Sequence, residues 1–247
     1  MKLTLAEPKL FVDSIGIISE LVNEVQLLID TDKIEIVAMD PANVAMVVYR
    51  LFGTAFSEYH VDGKERIAVS LDALRAILRR VKLNDTLTLE VDSEKNKLKI
   101  QLRGDTTRTF HLALIDLEDR EQRIPELSFL ANVEMPSVVL DEAVQDMDVV
   151  AESVAFIAQK GKLLIEAESN LNTARTEIDQ TDAIKIDAQQ EAKSKYSIEY
   201  LKKIVKASKL SSTVSLHFGK DYPLRVDYIT KDKVSFSVIL APRVSND

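Results

Sequence analysis

The sequence predicts an α+β protein of two similar domains. Three observations carry that expectation: the chain repeats itself, segments of helical period alternate with segments of period two, and a charged stretch too long for a hairpin turn divides the halves. Residues 70–91, SLDALRAILRRVKLNDTLTLEV, lie without a gap on residues 197–218, SIEYLKKIVKASKLSSTVSLHF. Identities fall at Ser70/Ser197, Leu74/Leu201, Ile77/Ile204, Lys82/Lys209, Leu83/Leu210, Thr86/Thr213 and Leu89/Leu216. Two unrelated amphipathic helices can share a leucine stripe by chance, but a common register through helix, turn and strand calls for a shared structure.

Each half opens in the same way, KLFVDSIGIISELVNEVQLLI in the first matching SVVLDEAVQDMDVVAESVAFI in the second. A short strand leads into a helix that starts at Pro8 in the first half and at Asp141 in the second, since proline in the first turn and aspartate at the cap leave fewer amides unpaired. Phe11, Ile15, Ile18 and Leu21 form the apolar face of the first helix. Strands are expected at 25–29 and 34–39, and again at 154–158 and 163–167. Alternation of apolar and polar residues marks further strands at 97–102, 110–114 and 234–240. A second helix in each half occupies the repeated segment, with Leu71, Leu74, Ile77, Leu78 and Val81 as its buried stripe in the first copy. The domains are therefore drawn at 1–116 and 133–247. Residues 117–132 connect them, charged from Glu118 through Asp119, Arg120, Glu121 and Gln122 to Arg123 and followed by Ile124-Pro125-Glu126.

Composition narrows the function classes. The chain has no cysteine, which excludes disulfides, thiolate metal sites and a thiol nucleophile. No apolar run approaches the roughly 18 residues of a membrane span, and the first residues lack the pattern of a signal peptide, so a cytoplasmic protein without a membrane partner is expected. There is no glycine-rich phosphate loop, and His60, His111 and His217 stand apart on strand-like segments. Asp146 and Asp148 are two apart in a helical pattern and do not share a face. No catalytic constellation, metal or cofactor is expected. An acidic-site phosphodiester enzyme on an unrelated α+β fold is the strongest alternative from another class.

Against a formal charge of -8, a basic surface is local and informative. Arg75, Arg79 and Lys82 are spaced i, i+4, i+7 opposite the apolar stripe, and Lys202, Lys206 and Lys209 repeat the register; Arg80 and Lys203 lie beside them. A basic helix face is often only solvated surface. Its recurrence in both copies points to a polyanion. The helix at 141–152 carries Asp141, Glu142, Asp146, Asp148 and Glu152 with no cation, and the first helix has only Lys9.

Met39-Asp40-Pro41-Ala42-Asn43-Val44, Leu114-Ile115-Asp116-Leu117 with Ile124-Pro125-Glu126, Leu210-Ser211-Ser212-Thr213-Val214, Asp221-Tyr222-Pro223-Leu224 and Leu240-Ala241-Pro242-Arg243 complete the reading. In order and spacing they resemble the proliferating cell nuclear antigen family, in its archaeal form. The resemblance implies a DNA sliding clamp, three subunits of two domains closing into a ring with helices lining the hole and sheets outside. It implies double-stranded DNA as a sequence-independent partner, met by Lys9, Arg75, Arg79, Arg80, Lys82, Lys202, Lys203, Lys206 and Lys209. A peptide pocket would use Met39, Val44, Met46, Ile124, Pro125, Pro223, Ile239, Ala241 and Pro242. Its ligands would be DNA polymerase, clamp loader, flap endonuclease and DNA ligase. The subunit contact would join Thr109, Phe110, His111, Leu112 and Leu114 of one copy to Ala174, Arg175, Thr176, Glu177 and Ile178 of the next. The acidic helix leaves a specialised subunit of a heterotrimeric or checkpoint-type clamp as the alternative within that class.

Overall fold

The computed structural model describes residues 1–117 and 122–243; the charged run 118–121 of the connector lies outside the described residues. In chain order the first half runs β1 (Lys2–Leu5), α1 (Lys9–Ile18), β2 (Glu24–Ile29), β3 (Lys33–Met39), β4 (Ala45–Phe52), β5 (Glu58–His60), β6 (Glu65–Ser70), α2 (Leu71–Leu78), β7 (Thr86–Asp92), β8 (Lys97–Arg103) and β9 (Thr107–Ala113). The second half continues with β10 (Ala131–Pro136), α3 (Ser137–Asp148), β11 (Ser153–Gln159), β12 (Lys162–Glu168), β13 (Thr173–Asp179), β14 (Lys185–Ala188), β15 (Ala192–Ser197), α4 (Ile198–Ile204), β16 (Thr213–Phe218), β17 (Leu224–Thr230) and β18 (Val234–Leu240). The repeat seen in the sequence extends over every one of these elements. At one constant offset, β7, β8 and β9 fall on β16, β17 and β18.

Pairing repeats as well. The first half builds an antiparallel order β5-β1-β7-β8-β9, matched in the second by β14-β10-β16-β17-β18, and β6-β2-β3-β4 is matched by β15-β11-β12-β13. Alternation explains the registers, as in β8, where Leu98, Ile100 and Leu102 are buried and the residues between them are not. Among the described residues β9 pairs only with β8, and β13 only with β12, so each ends its sheet.

Two compact units result. The first comprises Met1–Met39, Val47–Ile124 and Thr230–Phe236; the second comprises Asp40–Met46, Pro125–Ile229 and the chain from Ser237 on. In the first unit α1 and α2 pack together, burying Phe11, Ile15 and Ile18 of one and Leu71, Leu74 and Leu78 of the other. Each such side chain contributes about 1.5–3 kcal/mol on leaving water. In the second unit α3 packs beside α4 and across β12 and β13.

Three sequence expectations need correction. The helix expected from Asp141 starts at Ser137, because Pro136 closes β10 and the Ser137 hydroxyl donates to Ser211 O at 2.7 Å, tying the helix start to the turn that leads into β16. The helix carrying the first basic face ends at Leu78, so Arg79 is its cap and Arg80 and Lys82 lie in the following turn. That turn is fixed by Asp85, 2% exposed, whose carboxylate accepts from Lys82 N at 2.7 Å. Finally, β9 ends at Ala113; Leu114 leaves the strand and donates its N–H to Asn96 O at 3.1 Å.

Candidate functional site

The expected cation positions do not form one helical stack. Arg75 lies on α2 and is part-buried, whereas Arg79, Arg80 and Lys82 are exposed at and beyond its end. In the second half Lys202 and Lys203 lie on α4, while Lys206 and Lys209 fall on a 3-10 turn, Val205–Lys209. The tighter 3-10 winding shifts them off the α-helical i, i+4 line. Several cations are already partnered: Lys202 Nζ is 2.7 Å from Asp148 of α3, Lys203 pairs with Glu199 and stands over the Tyr200 ring, and Lys9 pairs with Asp13. The acid on α3 thus neutralises part of the basic surface that α4 would offer.

The segments expected to line a peptide pocket are organised by Asp40, which is only 4% exposed. Its Oδ1 accepts from Val44 N at 2.6 Å and Ala45 N at 2.7 Å; its Oδ2 accepts from Ala42 N at 3.1 Å and from the Tyr200 hydroxyl at 2.5 Å. Asn43 takes φ 56°, the left-handed conformation that asparagine tolerates and a β-branched residue would not. Burial alone would raise the Asp40 carboxyl, yet the bonds from Ala45, Tyr200, Val44 and Ala42 outweigh it and hold the group below its ordinary value. Burial and the same carboxylate push the Tyr200 phenol up to about 12. Ala241 N–H donates to Val44 O at 2.8 Å, which brings Val44 and Met46 beside Ile239, Ala241 and Pro242 within the second unit. Met46 and Ile239 are buried, Ala241, Pro242 and Pro223 are part-exposed, and Pro125 is exposed. Met39 and Ile124 belong to the first unit, where Met39 lines an open groove with Gln26, Val37, Leu117 and Gln122.

Sequence reasoning missed the anchor at the far end of the connector. The Phe129 ring sits 5.6 Å from His217 and 6.1 Å, edge on, from Tyr222. His217 Nδ1 is 2.6 Å from Asn132 Oδ1 and its Nε2 is 3.3 Å from Asp227, which also accepts from Arg225 Nε at 3.0 Å. Burial of Asp227 is outweighed by these bonds and one from Ser237, so its carboxyl stays below the ordinary range. The signal in the sequence was that Phe129 is the one aromatic residue of the connector.

The expected edge residues Thr109, Phe110, His111 and Leu112 lie on β9, and Ala174 to Ile178 on β13. Phe110 is part-exposed, Leu112 and Ile178 are buried, and Arg175 and Glu177 pair at 2.8 Å. Arg108, also on β9, donates from Nη1 to Arg80 O at 2.7 Å and from Nη2 to Asp85, fastening the turn after α2 to this edge. Among the described residues no group of three or more His, Asp or Glu is placed to hold a metal ion.

Comparison with known proteins fits this geometry. Residues 1–122 match the family model for the proliferating cell nuclear antigen N-terminal domain, and residues 123–243 match that for its C-terminal domain. A DNA polymerase sliding clamp of Nanoarchaeum equitans is 37% identical over 98% of this chain and 99% of its own length. One from Pyrococcus horikoshii is 36% identical over 96% and 95%. Among solved structures, PCNA from Thermococcus kodakaraensis superposes with a TM-score of 0.91 at 29% identity, covering 98% of this chain and 99% of that one. A complex of two PCNA proteins from Sulfolobus tokodaii supplies a chain at TM-score 0.90, 26% identity and the same coverage.

Proposed function

The chain belongs to the proliferating cell nuclear antigen family and is a DNA polymerase sliding clamp, a family of non-catalytic processivity factors; on that premise we propose that three copies close head to tail around double-stranded DNA and carry enzymes there through short peptide motifs. The observation that carries the ring is the pair of free strand edges. Within the first unit Phe52 N–H donates to Lys233 O at 3.0 Å, and within the second Ala241 N–H donates to Val44 O, so β4 and β18 run side by side. In the repeat, β13 is the counterpart of β4 and β9 the counterpart of β18. Among the described residues both are bare in a single chain. Pairing β9 of one copy with β13 of the next gives them the same partners and removes two exposed edges. Phe110 then packs across the boundary. The Phe110→Ala variant is expected to weaken assembly by about 2 kcal/mol per boundary, below the 3–5 typical of a fully buried aromatic. Sedimentation at equal folding, checked by circular dichroism, reads this as a shift to monomers; the parent's mass profile across dilution would refute it.

Sequence-independent contact with DNA requires cations that meet phosphates and nothing that reads bases. Arg75 and Arg79 with Lys202 and Lys206 supply them, joined by Lys9, Lys203 and Lys209. Partner enzymes, among them polymerase, clamp loader, flap endonuclease and ligase, dock a helical turn of peptide on the surface held by Asp40. Part-exposed Ala241 and Pro242, held beside Val44 by the Ala241 N–H bond, leave an apolar surface that would suit an apolar anchor. Ile124→Ala and Pro242→Ala are each expected to cost upwards of about 1 kcal/mol in peptide affinity. Calorimetric titration with a glutamine-aliphatic-diaromatic peptide checks this, and unchanged affinity in both variants places the site elsewhere.

A further inference from the structure

We propose that Tyr200 makes peptide docking answer to DNA: it is a positioning residue that joins the lysines of α4 to the turn at 40–45 beside the peptide surface. The proposal rests on the clamp reading, in which α4 meets phosphates and the Asp40 turn supports a docked peptide. Asp40 and Tyr200 are 160 positions apart in the chain yet belong to one compact unit. The phenol donates to Asp40 Oδ2 at 2.5 Å. Burial and the facing carboxylate push that phenol up to about 12, so the proton stays on Tyr200 and the bond keeps one polarity. Over the same ring stands Lys203 Nζ, 5.3 Å from the centroid and 3.0 Å from Glu199 Oε1. A cation at a ring face draws π density towards itself and so makes the hydroxyl a stronger donor.

The repeat shows that this link is no part of the shared scaffold. In register with Tyr200 and Lys203 the first half has Ala73 and Ala76, although its Leu74 and Ile77 are identical to Leu201 and Ile204. The turn that matches 40–45 lies between β12 and β13 and closes on itself: Ser169 Oγ accepts from Asn172 N at 3.2 Å, and Ser169 N donates to Asn172 O at 2.9 Å. The phenol and its cation therefore occur only where the neighbouring turn serves the peptide surface. Leu201 and Ile204 are fully buried and seat α4 firmly, so a change at one end reaches the other through these side chains. When a phosphate draws Lys203 away from the ring and from Glu199, the phenol becomes a weaker donor and the Asp40 turn is held less tightly. Linkage makes the effect mutual: a peptide that needs the tight turn holds Lys203 back from phosphate by the same factor.

The test is the fluorescence anisotropy of a labelled glutamine-aliphatic-diaromatic peptide, titrated with the full chain at low salt with and without saturating linear duplex DNA. Co-sedimentation of the duplex checks DNA binding in the same samples. The parent is expected to bind the peptide about two- to fivefold more weakly when DNA is present, the range of a part-exposed cation–π contact. Tyr200→Phe keeps the ring and the cation but lacks the donor; about three- to tenfold weaker binding is expected without DNA, and no further loss with it. Lys203→Met keeps the stem and the phenol bond, and it is expected to bind as the DNA-bound parent does whether or not DNA is added. It also decides the matter should Tyr200→Phe fail to fold. A purely structural Tyr200 would lower affinity and leave the DNA effect in place. A DNA-bound parent with unchanged peptide affinity, or a DNA effect that persists undiminished in either variant, would overturn the link while leaving peptide docking intact. A parent that binds no peptide under either condition would bring down the docking reading together with the link.

Discussion

The Asp40→Ala variant is expected to lose about 3 kcal/mol of stability, the upper range for a hydrogen-bonded carboxylate, and most of its affinity for partner peptides. Two amides and a phenol remain part-buried without an acceptor, and the fully buried Ala45 N–H loses its carboxylate. For a chain of this length the melting temperature should fall by roughly 6–12 °C. Asp40→Asn separates shape from charge. Its Oδ1 can keep the bonds from Val44 and Ala45, and its amide can donate to the Tyr200 oxygen, but it meets the Ala42 N–H with another donor. An intermediate loss is expected. Thermal melts of the three proteins with parallel peptide titrations check the order parent, Asn, Ala; an Ala variant as stable as the parent would show that the turn at 40–45 holds itself.

The same carboxylate gives a pH dependence of known sign. Its folded value is depressed, so the free chain binds the proton more readily than the folded one. The stabilisation is therefore full above the unfolded value, about 3.9, and disappears as pH falls through the lower folded value. Asp227 acts in the same direction.

Much of this was legible in the sequence because it follows from periodicity. The repeat, the two helices of each half and the strands at 97–102 and 234–240 are set by which residues must leave water, and they appear where the pattern puts them. Helix ends were less legible. Asp141 has the chemistry of a cap, but Pro136 and the Ser137–Ser211 bond, which joins residues far apart in sequence, decide the start of α3. Lys82 keeps helical spacing in the sequence and loses it because Asp85 turns the chain. The Asp40–Tyr200 bond, across 160 positions, had no local signal at all.

Neutralising Arg75, Arg79, Lys202 and Lys206 to glutamine is expected to shorten retention of a closed ring on circular DNA while leaving its mass unchanged. Each cation withdrawn from a phosphate should reduce the slope of log affinity against log salt by about 0.9, with no change in preference among sequences. The structure makes the effect unequal between the halves. Arg79 is exposed at the end of α2, whereas Lys202 is held by Asp148 at 2.7 Å and must be released before it can serve a phosphate. The Arg75→Gln/Arg79→Gln pair should therefore cost more slope than the Lys202→Gln/Lys206→Gln pair, and Asp148→Asn should partly strengthen DNA association by freeing Lys202. Retention and slope that stay at the parent's values in the fourfold variant, with mass unchanged, would mean that these faces do not meet DNA.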